Sequence, residues 1–215
     1  MKKIRIVRPY TFGEEIGNAV SHGAMALITL GGIAPMAVYA YLRRGALAST
    51  STSIFMCSLF LMFLFSTLYH SMAADTRHKY VLQILDHIFI YFAIAGTYTP
   101  IALTVIGGWP GIVITSLQWI MVLFGILYKS LVRQKIPKVS LTIYLVMGWS
   151  ALFIAPMFFR NASIGMQALI LGGGIFYSAG AYFYAKKEKR FFHMIWHIFV
   201  SLGALSHFFG ILLFL

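Results

Sequence analysis

Residues 191–215 read FFHMIWHIFVSLGALSHFFGILLFL, 25 positions without a single Lys, Arg, Asp or Glu. A helix needs about 20 apolar residues to cross the hydrocarbon core of a bilayer, so this stretch reads as a spanning helix. Its first turns nevertheless carry His193 and His197. Residues four apart share a helical face, about 6 Å apart along the axis, so both rings can point at one place. Ionisable groups at such depth are costly and default to a functional reading, with partners nearby.

Outward from this stretch, six more segments read the same way: Ala19–Leu42, Ser51–Met72, Val81–Ile106, Gly111–Lys129, Val139–Phe158 and Ile164–Ala185. The chain is 60% hydrophobic and 10% charged, with mean hydropathy +0.84. Soluble domains carry about 25% charged residues. The expected architecture is an all-α membrane protein, one seven-transmembrane helix bundle over residues 1–215. It begins with a short cytoplasmic arm, about residues 1–18. Pro35, Pro100, Pro156 and Gly172–Gly174 read as kinks and close helix contacts. Cys57, alone of its kind, reads as a small packed hydrophobe.

The net charge of +12 suggests a nucleic-acid partner only until the cations are placed. Fourteen of the seventeen Lys and Arg fall in the N-terminal arm, around Arg77 and Lys79, in Lys129–Lys138 and in Lys186–Arg190. Arg43, Arg44 and Arg160 fall in the alternate segments. This is a topology signal: N-terminus cytoplasmic, C-terminus outside, no nucleic acid. The basic start leads into the polar stretch Thr11–Asn18 rather than an apolar core, so no cleavable leader is expected.

With that threading, Ser66-x-x-x-His70, Asp86-His87 and His193-x-x-x-His197 reach one face of the membrane. His70, His193 and His197 would give three protein ligands and leave a fourth tetrahedral position for water, the pattern of a catalytic zinc site. Asp86 can take a proton there or ligate the metal itself, and the sequence leaves both open. Ser66 can hydrogen-bond water or a substrate oxygen. Neighbours lie about 100° apart around a helix, so His87 goes to an interface. Glu14, Asn18 and His22 share a stripe and are assigned supporting or capping roles. His78 reads as solvated, His207 as a packed histidine, and Trp109, Trp119, Trp149 and Trp196 as packing or interfacial anchors.

These motifs, in this order and in these spans, resemble the bacterial haemolysin III proteins. Those belong with the progestin and adiponectin receptors, in a wider superfamily with the alkaline ceramidases. The resemblance implies zinc held by His70, His193 and His197, with Asp86 and Ser66 close by. It implies hydrolysis of a lipid-like amide or ester at the plasma membrane, in a bacterium the cytoplasmic membrane. The partner expected is a membrane lipid. Hormone reception is not expected, because the chain carries no long extracellular domain. Two other functions share these residues: a sensor of membrane state with structural zinc, and a cytolytic pore, as the family name suggests. Oligomeric state is not legible.

Overall fold

The computed structural model describes residues 10–131 and 137–214. Among them the chain forms helices and no strand: α1 (Phe12–Ser71), α2 (Arg77–Pro100), α3 (Gly108–Leu131), α4 (Pro137–Trp149), α5 (Ala155–Asn161), α6 (Ile164–Ala185) and α7 (Phe192–Phe214). Six helical stretches are long and apolar enough to cross a membrane. Helix α1 starts at Phe12, within the stretch expected as the arm, about residues 1–18. Thr11 accepts from the Glu14 N–H, and Glu14 Oε2 takes the Thr11 N–H at 2.9 Å, a reciprocal cap that starts the helix early. The basic residues ahead of Tyr10 lie outside the described residues.

The expected spans Ala19–Leu42 and Ser51–Met72 both fall on α1, and the gap foreseen between them shrinks to one residue. Gly45 has φ 79° and ψ −166°, a region open essentially to glycine, while helix continues on either side. The chain turns back there. Ser49 Oγ reaches the Ala37 carbonyl at 2.9 Å, and Ser66 Oγ lies 2.8 Å from His22 Nδ1, 44 residues away. A straight helix would separate that second pair by about 66 Å. Gly45→Ala is therefore expected to cost about 1–3 kcal/mol, read as a lower unfolding midpoint in detergent. Gly31→Ala is the control, since helical Gly31 has open space where a Cβ would go.

Prolines shape two other segments as their chemistry requires. After Pro100 the helix widens into a π turn over Ile101–Ile106 and stops at Gly107, φ 68°. The expected span Val139–Phe158 is broken: α4 tightens to 3₁₀ over Ser150–Ile154 before α5 restarts with Pro156 in its first turn. The first turn is where a proline ring disturbs a helix least. Gln118 donates to the Met147 carbonyl at 3.3 Å and Tyr98 to that of Gly148 at 2.6 Å, so the break leaves these groups satisfied.

The main core joins both arms of α1 to α7 through Met25, Phe55, Leu59, Phe63, Ala204 and Ile211. A second core joins α2, α3 and α4 through Tyr91, Ala95, Val122 and Met147. Large apolar side chains such as Leu27, Leu123, Phe153 and Ile164 face outward, the inversion a lipid solvent permits. Cys57 corrects the sequence reading: it is exposed on this outer face rather than packed. His207 is buried as expected, facing the Ile170 carbonyl at 3.0 Å in a space only Gly173 leaves open.

Candidate metal centre

His70 closes the last turn of α1, and His193 and His197 open α7, whose start is tied back to α1. Phe191, at φ 60°, gives its N–H to Glu14 Oε1 at 2.9 Å. The first turn of the first helix thus sets the register of the last. All three imidazoles are buried, and one ligand nitrogen from each lies within 4.8 Å of the others. His70 Nε2 and His193 Nε2 are 3.2 Å apart. Tetrahedral zinc with nitrogens at 2.0–2.1 Å sets neighbouring ligands about 3.3 Å apart, so this spacing fits one ion.

The tautomers fit as well. His70 Nδ1 meets Glu15 Oε2 at 2.5 Å, and a carboxylate only accepts, so the proton is on Nδ1 and the lone pair on Nε2. His197 Nδ1 faces the Asn18 carbonyl at 3.2 Å, which leaves Nε2 as the lone pair. That Nε2 is buried without a hydrogen-bond partner. Buried polar atoms are rarely left unpaired, and a cation between the rings would pair this one.

The remaining predicted residues divide. Asn18 is fully buried, with its Nδ2 3.4 Å from His70 Nδ1. His22 stacks flat on His197, centroids 3.6 Å apart at 6°, and meets Ser66 through Nδ1. Asp86 is buried in α2 beside Ser66 and in the field of His70 and Lys187. Its carboxylate does not join the group of three. Glu14 takes the capping role, spending its oxygens on Thr11 and Phe191. His87 turns away, with Nδ1 on the Gln83 carbonyl at 2.6 Å and 3.5 Å from Asp86 Oδ2. His78 is exposed, though in the first turn of α2.

Two neighbours, Tyr10 and Glu15, were missed by the sequence reading, and a third, Trp196, was read as a packing or interfacial anchor. Tyr10 stacks on His193, centroids 5.0 Å apart at 25°, and Trp196 packs against His193 and His197 at 4.9 and 5.0 Å. Glu15 holds His70 and is itself held by Lys79 Nζ at 2.7 Å. Glu15 was legible as one of only five acids in an apolar chain. Tyr10 gave no signal beyond its type. Burial raises the Tyr10 phenol above its ordinary range, helped by Tyr69 and Tyr184. Burial also lowers the Lys187 ammonium, and Asp86 opposes this.

Residues 10–208 match the sequence model of the family described as haemolysin-III related. The chain belongs to that family. The haemolysin-III-related chain is 35% identical to Hemolysin-3 of Bacillus cereus over 93% of its length and 90% of the relative's. It is 37% identical to a Hemolysin-3 homolog of Bacillus subtilis (strain 168), covering 94% and 95%. Monocyte to macrophage differentiation factor of Homo sapiens is 32% identical over 73% of this chain and 65% of its own. Membership, with the apolar helices, makes the protein a multi-pass membrane protein, in keeping with the bacterial cytoplasmic membrane.

Proposed function

We propose that this haemolysin-III-related protein crosses the membrane seven times, N-terminus inside, and is a zinc-dependent hydrolase of a lipid-like amide or ester. The fold-back at Gly45 and the sidedness of the cations support that threading. The observation that carries the activity is the convergence of three buried imidazoles, those of His70 and His197 with lone pairs turned inward, beside Asp86 and Ser66.

Zinc, when bound, supplies a Lewis acid that polarises a carbonyl and acidifies water. Asp86 takes the proton of the attacking water and passes it to the leaving group. With His22 donating through Nδ1–H, the Ser66 hydroxyl keeps its own hydrogen for the developing oxyanion. Acyl chains reach the site from the bilayer, where they already reside.

The name of the bacterial relatives carries a cytolytic reading. A pore needs a continuous water-facing lining. Toward the other membrane face, Gln118, Ser150 and Tyr98 bond to one another and to freed carbonyls instead. The test is fatty-acid release from a ceramide by zinc-loaded protein in nanodiscs, followed by mass spectrometry. Release by wild type and by His78→Ala, with none from His193→Ala, is expected. Turnover retained in His193→Ala would overturn the assignment.

A further inference from the structure

Of the three imidazoles, His70 differs in what holds its outer nitrogen. His197 faces a neutral carbonyl, and His193 Nδ1 is buried without a hydrogen-bond partner. His70 faces an anion, Glu15, at 2.5 Å. That anion is fixed in turn. Lys79 Nζ binds Glu15 Oε1 at 2.7 Å and the Met72 carbonyl at 2.9 Å, and sits 5.0 Å over the Tyr69 ring. Tyr69 lies edge-on to His70 at 4.5 Å. The ring is therefore held at its edge by charge and at its face by packing.

We infer that Glu15 is the positioning residue of this centre: it holds His70 as the Nδ1–H tautomer, aims Nε2 at the ion, and is itself clamped by Lys79. The inference rests on the metal reading of the three histidines but not on hydrolysis. The chemistry asks for such a group. Three neutral imidazoles bring no negative charge to a dication, and a carboxylate one bond out makes the ligand more basic and fixes its orientation. Without it, the nearest side-chain neighbour of Nδ1 is the Asn18 amide at 3.4 Å, and Asn18 Oδ1 is buried with no partner. An amide turned end for end can accept from Nδ1–H, but brings no charge.

The test is zinc affinity of purified protein in detergent, by chelator competition. Glu15→Ala should bind zinc about 10–100-fold more weakly. Glu15→Gln should lose less, because its carbonyl oxygen still accepts from Nδ1–H, and Lys79→Met less again. Ser49→Ala, which loses the bond to the Ala37 carbonyl at the Gly45 turn, is the structural control, lowering the melting temperature while leaving affinity at the wild-type value. Cobalt absorption in Glu15→Gln should keep the wild-type ligand field. Wild-type affinity in Glu15→Ala, or an equal loss in Ser49→Ala, would overturn the inference.

If the Glu15 variants do not fold, nitrogen NMR of metal-free wild type decides, with the His70 signals assigned by their loss in His70→Gln. The Nδ1–H form is the expected result, and the Nε2–H form overturns it. A wild type that takes no zinc overturns the metal reading itself, while the tautomer still reports whether Glu15 orders His70.

Discussion

A chain carrying His193→Ala and His197→Ala should purify without stoichiometric zinc, against about one ion per wild-type chain. The change removes two of the three nitrogens from a site whose ligand atoms span only 4.8 Å. One imidazole and water hold zinc too weakly to survive purification, since structural-site affinities depend on several ligands acting together. Elemental analysis beside a folding assay settles the matter. Stoichiometric zinc in the folded double variant would remove these residues from the site. No metal in either protein, both folded, would reduce the cluster to packing.

Asp86→Ala should separate chemistry from binding. The Asp86 carboxylate is buried beside Ser66 but stands outside the group of three nitrogens. Its loss should leave zinc content intact and cut turnover by about 10²–10⁴-fold, the usual contribution of a positioned acid or base. Loss of the ion along with turnover would make Asp86 a direct ligand, the alternative the spacing leaves open. Unchanged turnover would dismiss it from the mechanism. Both outcomes are read on the same sample, by metal analysis and by fatty-acid release.

The sequence was a good guide wherever one chemical rule dominated. The cost of polar atoms in hydrocarbon made 191–215 a helix, and the i, i+4 spacing placed His193 and His197 on one face; the structure has both. The same rules could not foresee that one glycine would turn the chain back at residue 45, since Arg43, Arg44 and the polar Ser49–Ser53 stretch suggested a longer link. Periodicity also chose Glu14, which shares a stripe with Asn18 and His22, where the structure puts Glu15 on His70. The two glutamates point about 100° apart, and only the return of His70 toward the start of α1 decides which one meets the imidazole. Cys57 failed for a related reason: in lipid, apolar surroundings do not mean interior.

The two Nε2 atoms that face each other come from His70 and His193, 123 residues apart in the chain. During synthesis α1 therefore enters the membrane long before the helix that completes it. Until α7 arrives, the inner nitrogen of His70 lacks the His193 nitrogen that later faces it, and Glu14 Oε1 lacks the Phe191 N–H. The centre thus doubles as a seam between an early and a late part of the polypeptide.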